Sequence, residues 1–238
     1  MKTKLLTIAM TAVLMLTAMT KVQAQNYEGP CLPSSHGLTG HQSAFCGSIL
    51  TQTIALSAGW NWFSTYIELD NPVELLEVLQ DALGDNGMQI ESVVDGVNMN
   101  VGDGYWAGDL DGTGLLNEHM YLREVLEDAV VELQGPATNP EAHPITLYPE
   151  DFSWIGFPCA EEVDVNVALS GLEAEDGDYI ENDELGVIYY YGGVWIGDFD
   201  TMIPGRGYMY FSNSTQPKIL IFSTTAKGKS VSLRMHKE

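Results

Sequence analysis

Trp106-Ala-Gly-Asp-Leu-Asp111 returns 89 residues later as Trp195-Ile-Gly-Asp-Phe-Asp200, with two of six residues changed. Working outward, the same echo holds on both sides. Ile54-Ala-Leu56 lies 91 residues before Ile145-Thr-Leu147, and Trp62-Phe-Ser precedes Trp154-Ile-Gly by 92. Ile90-Glu91 and Ile180-Glu181 are 90 apart. Met120-Tyr121 and Met209-Tyr210 are 89 apart, as are Val130-Val-Glu-Leu133 and Ile219-Leu-Ile-Phe222. Ordered matches at a nearly fixed offset are the mark of an internal duplication.

Each copy reads as β-rich. Thr53–Leu56 and Trp60–Ile67 are β-branched and aromatic runs with Ser-Ala-Gly between them, a hairpin-like pair. Asn71, Pro72 and Glu74 then suit the start of a helix. Its apolar face is Leu75, Leu76, Leu79 and Leu83, and Gly84 stops it. The second copy compresses this helix to Val163–Ser170. Short strands are predicted at 88–94, 97–101, 104–107, 119–123 and 129–133, with equivalents at 178–181, 187–191, 194–197, 207–211 and 218–222. The expected fold is mostly β (α+β): two tandem homologous β-rich modules, each with one short helix against a small antiparallel sheet.

The N-terminus has the layout of an export signal: Lys2 and Lys4, an apolar run to Met19, and Val22-Gln23-Ala24 as a small-residue cleavage site. That run is short for a membrane span, and no later segment is apolar enough. The predicted organisation is a signal peptide at 1–24, a Cys-containing segment at 25–50, modules at 51–135 and 144–224 joined by a linker at 136–143, and a basic tail at 225–238. The expected location is outside the cytoplasm: extracellular, on the cell surface, or in the periplasm. Of 238 residues, 33 are Asp or Glu and 10 are Lys or Arg. Between Gln25 and Pro217 the only basic residues are Arg123 and Arg206, so nucleic acid and anionic lipid are poor partners. A basic tail beside an acidic body reads first as a frayed terminus, with weak, salt-sensitive self-association as the alternative. In an oxidising compartment Cys31 and Cys46 are the candidate disulfide, and Cys159 is left as a buried, apolar-like residue.

The sequence Gly59-Trp-Asn-Trp-Phe-Ser-Thr-Tyr66, the later Trp-x-Gly pattern, and the passage Asn139-Pro-Glu-Ala-His-Pro-Ile145 into Trp154-Ile-Gly-Phe-Pro158 resemble a family. These are the paired GWNW-type modules of secreted and cell-surface proteins from gut and oral anaerobic Gram-negative bacteria. The resemblance spans roughly residues 52–224. It implies a surface or secreted role and brings no catalytic residues.

Three groups of side chains are candidates for function. Asp109-Leu-Asp111-Gly-Thr113-Gly opens like a calcium loop, with oxygens at positions 1, 3 and 5, which makes Ca2+ the candidate cofactor. However, Met120 stands where the bidentate Glu belongs, and Asp198-Phe-Asp200 lacks the loop glycine, so a turn explains the pattern as well. The matched indoles, Trp62 with Trp154 and Trp106 with Trp195, are expected in the core. That leaves Trp60 and Tyr189-Tyr190-Tyr191 as candidate ligand contacts, because alternate residues of a strand point oppositely and one set of tyrosines must face outward. His119 and His143 have no Ser or Cys in a nucleophile context, and Tyr208 stands opposite His119 in the sequence alignment of the copies. The reading is a non-catalytic secreted binding or adhesion protein whose partner is an extracellular glycan or protein. A structural subunit of an envelope assembly is the alternative, and a hydrolase comes last.

Overall fold

A computed structural model describes residues 49–225. The predicted export signal, Cys31, Cys46 and residues 226–238 of the basic tail lie outside the described residues.

The chain is mostly β. Its first half contains β1 (Ile49–Leu56), β2 (Gly59–Phe63), α1 (Pro72–Leu83), β3 (Gly87–Ser92), β4 (Gly96–Asn100), β5 (Trp106–Gly108), β6 (Tyr121–Val125) and β7 (Ala129–Pro136). The second contains β8 (Ile145–Leu147), β9 (Phe152–Gly156), β10 (Val163–Asp164), α2 (Val165–Ala168), β11 (Tyr179–Asn182), β12 (Gly186–Tyr191), β13 (Val194–Gly197), β14 (Thr201–Met202), β15 (Gly207–Phe211) and β16 (Lys218–Leu220). One antiparallel sheet runs β2-β6-β3-β4-β5 and the other β9-β15-β11-β12-β13, so both halves use the same strand order. β1 pairs with β7, and β8 with β16, in the same relation.

The helix forms as its sequence suggests. Asn71 Oδ1 accepts the Val73 N–H at 3.3 Å, Pro72 occupies the first turn, and Gly84 ends the helix with φ of 46°. Leu75, Leu76, Leu79 and Leu83 are buried against the first sheet's inner face, with Ile90, Trp106, Tyr121 and Val131. A second core gathers Ile155, Phe157, Ile180, Ile188, Trp195, Tyr208 and Phe222. Cys159 is buried there, and burial pushes its thiol up to about 12. α2 is one turn only, because Val163 and Asp164 are drawn into pairing with Met202 and Thr201. The expected helix over 163–170 is shortened accordingly.

Three expectations are corrected. The hairpin-like pair does not exist: β1 pairs across the whole half with β7, and β2 with β6. The β6 strand is Tyr121–Val125 and not 119–123, which changes the correspondence between halves. Ile90 faces Arg123 and Ile180 faces Tyr210, so Arg123 and Tyr210 are equivalent, as are Tyr121 and Tyr208. The Tyr121 hydroxyl accepts the Leu116 N–H at 2.7 Å and the Tyr208 hydroxyl accepts the Ile203 N–H at 2.8 Å, the same five-residue reach back. The offset here is 87, and the Met-Tyr match at 89 is coincidental. Finally, only Trp106 and Trp195 of the matched indoles are core residues; Trp62 and Trp154 are half-buried on the other face of their strands.

The halves meet through reciprocal contacts. Ser64 N donates to Gly205 O at 2.9 Å, and Gly156 N donates to Glu118 O at 2.9 Å. Phe63 bridges Arg206, while Ile155 bridges His119. Arg206 is therefore the counterpart of His119, not Tyr208. A Cβ on Gly156 would lie 2.4 Å from Asn117 O, so the approach requires glycine.

Candidate functional site

Alternation along β11, β12 and β15 places Ile180, Ile188, Tyr190 and Tyr210 inward and Tyr179, Tyr189, Tyr191 and Phe211 outward. Register then does what no single strand does. Ile196, Tyr189, Tyr179, Phe211 and Phe152 are directly opposite one another on successive strands, forming one cross-strand row. Four intervals of strand spacing give the row a length of about 19 Å. Tyr179 and Phe211 stack with centroids 5.1 Å apart and planes 19° apart. Tyr189 is 5.6 Å from Tyr179, and Phe152 is 5.4 Å from Phe211. Burial, with Glu181 and Tyr189 beside it, raises the Tyr179 phenol above its ordinary value.

Of the predicted contacts, Tyr189 and Tyr191 are exposed, at 49% and 67%. Tyr190 turns inward onto Trp195 at 5.2 Å, on the face opposite to Tyr189 and Tyr191. Trp60 is also exposed but belongs to the other sheet's row, Ala107–Met99–Gln89–Glu124–Trp60. That row occupies the equivalent positions and is mostly non-aromatic. The aromatic face is thus a property of the second sheet. Tyr179, Phe211, Phe152 and Ile196 were missed in the sequence, since their strands are far apart along the chain. The period-two pattern of each strand was the only available signal.

The candidate calcium residues are turn residues. Asp111 accepts from Asn98 Nδ2 at 2.5 Å and from Gly108 N at 3.3 Å. Asp109 is packed over Gly96, where an added Cβ would come within 2.6 Å of it. The Thr113 N–H donates to Leu110 O. In the second half Asp198 accepts from Val187 N at 3.0 Å in the corresponding turn. Among the described residues, no three His, Cys, Asp or Glu side chains gather as a metal site would need.

His119 Nδ1 pairs with Asp95 at 2.5 Å, and His143 reaches Glu118 at 3.1 Å and Glu68 at 3.4 Å. Burial works to raise the Asp95 carboxyl, but His119 and the Ser92 hydroxyl hold it below its ordinary value. His119 lines a cleft of about 240 Å³ with Glu118, Phe152, Ser153 and Trp154. The Ser153 oxygen there accepts the Tyr148 N–H at 3.1 Å. His119 and Asp95 mirror Arg206 and Glu184, a 2.7 Å ion pair at the other side of the seam. Each pair lies within its own half and holds a residue, His119 or Arg206, that bridges to the other half.

A deeper polar group was also invisible in the sequence. Asp178, wholly buried, accepts from Lys218 Nζ at 2.7 Å, the Tyr210 hydroxyl at 2.5 Å and Asn213 N at 2.7 Å.

No family model, curated protein or solved structure matches this chain.

Proposed function

We propose that this is an exported, non-catalytic binding protein of the bacterial surface or exterior, made by duplication of one β-rich module. The aromatic row of the second sheet is its contact surface. That row is the observation that carries the reading: five apolar side chains in register on an open sheet face, four of them aromatic. Aromatic residues, tyrosine above all, give much contact area at small conformational cost. The shared strand order supports duplication, and the export-like N-terminus and the resemblance to GWNW-type modules support the location.

Of the two partner classes, a protein surface suits the row better than a glycan. Sugars stack on open ring faces, whereas Tyr179 and Phe211 each spend a face on the other. The acidic body favours partners with basic or neutral surfaces.

The test is a binding screen of the protein on a glycan array and on immobilised extracellular-matrix and bacterial surface proteins. Saturable binding to a protein partner is expected, weakened at least tenfold by Tyr179→Ala or Tyr189→Ala, each a truncation at the contact centre. Trp60→Ala should leave it intact. Binding that survives both tyrosine changes would remove the row from the function. Glycan binding lost on the same changes would make the partner a sugar.

A further inference from the structure

Arg123 is wholly buried, and among the described residues none of its Nε, Nη1 and Nη2 atoms has a hydrogen-bond partner. Two more buried donors are left over in the first half, Trp106 Nε1 and Gln80 Nε2. A side chain on Gly87 would meet Trp106 Cζ2 at 2.6 Å and Arg123 Nη2 at 2.7 Å, so indole edge and guanidinium lie side by side over that glycine. Gln80 and Trp106 in turn share a cleft of about 290 Å³ with Glu77, Asp81, Gly104 and Tyr105.

Every orphaned group in this cluster is a donor. Native interiors pair such groups, and a buried cation without a counter-charge is among the costliest arrangements known. Burial alone pulls the Arg123 guanidinium down to about 9, which still leaves it charged at neutral pH. The second half shows what is missing. At the equivalent position Tyr210 donates to Asp178, which also takes the Lys218 ammonium. By strand register, with Met88 the extra residue of a bulge in β3, the counterpart of Asp178 is Gly87 and that of Lys218 is Ala129. The first half keeps a cation at this place and lacks the carboxylate.

We propose that Arg123, Trp106 Nε1 and Gln80 Nε2 form a binding site for the carboxylate of a small molecule. The planar guanidinium fork matches a carboxylate in two parallel hydrogen bonds, and the indole and amide donors complete the set. The rest of the molecule occupies the cleft, where Glu77 and Asp81 accept from ammonium or hydroxyl groups and Tyr105 and Trp106 provide apolar contact. The same two carboxylates repel phosphate and other multiply charged anions. The ligand class is therefore a monocarboxylate with neighbouring donors: an amino acid or an acidic sugar. This site is on the inner side of the first sheet and does not depend on the aromatic row.

The experiment titrates the protein from Gln25 to Glu238 with glycine, glucuronate, acetate, chloride and phosphate, following tryptophan fluorescence and Tm. A saturable response to glycine or glucuronate is expected, smaller for acetate, with none for chloride or phosphate. Whichever of the first two binds identifies the donor groups recognised. Arg123→Met keeps the volume, removes the charge and should abolish the response, a loss of at least tenfold in affinity. Gln80→Leu, on the helix, should weaken it several-fold and decides the matter if Arg123→Met does not fold. The proposal is overturned by no response to any carboxylate, by chloride acting as well as carboxylates, or by unchanged affinity in a folded variant. A crystal grown with glucuronate that shows only water against Arg123 would also overturn it.

Discussion

At the scale of single residues, the second half is organised around a charge it has every reason to avoid. Burial works to raise the Asp178 carboxyl, but Lys218, Tyr210 and two backbone N–H groups outweigh it and hold the pKa below its ordinary value. An Asp depressed in the folded state stabilises above its unfolded pKa of about 3.9, and loses that contribution as pH falls through the lower, folded value. Asp178→Asn should therefore cost about 3 kcal/mol near neutrality, because Lys218 is left buried without its counter-charge. Urea unfolding of both proteins from pH 7 to pH 2 should show the difference narrowing below about pH 4; a constant difference would mean that Asp178 does not act through its charge. Asp111 is engaged in the opposite way, as an acceptor inside its own turn. Millimolar calcium should leave Tm unchanged, and a rise removed by Asp109→Asn would restore the calcium reading.

At the scale of elements, strand register matters more than strand identity. Tyr121 and Tyr208 each reach back five residues to a backbone N–H, which fixes the loop entering β6 or β15 against the sheet. Both phenols are pushed well above their ordinary range, chiefly by burial, and so stay neutral donors and acceptors. Tyr208→Phe should cost about 1–3 kcal/mol, the penalty for stranding the Ile203 N–H, as measured by denaturant unfolding. Asn71→Ala should cost about 1 kcal/mol in the same assay, since it removes the cap of α1. The helix was fully legible, because cap, apolar stripe and stop are local signals. The β1–β2 hairpin was misread because two adjacent apolar runs look alike whether they pair with each other or with distant strands. Alternation along β12 identified Tyr189 and Tyr191 as one set, yet only pairing with β11, β15, β9 and β13 turned that set into a row.

At the scale of the molecule, two cores are joined at a seam of backbone bonds. The seam is reciprocal: each half gives a backbone N–H beside its β2 or β9 edge to the loop before the other's β6 or β15. Gly156 is its narrowest point, with Asn117 O and His119 O at 2.4 and 2.7 Å from an added Cβ. Gly156→Ala should force the halves apart and cost more than 1 kcal/mol, the direction opposite to an ordinary Gly→Ala change in extended backbone. Calorimetry should resolve two transitions in this variant where the parent shows greater overlap; an unaltered thermogram would show the seam to be slack.

The amino-acid order alone determined that the chain is β-rich, that α1 runs from Pro72 to Leu83, and that Cys159 is an interior residue, since composition, period and caps act over a few neighbours. Tertiary structure decided that Arg123 occupies the place of Tyr210, that Arg206 answers His119, and that four aromatic rings from four strands meet on one face. Those outcomes depend on hydrogen-bonded register between strands tens of residues apart. A shift of two residues there leaves every local pattern intact while changing which side chains meet.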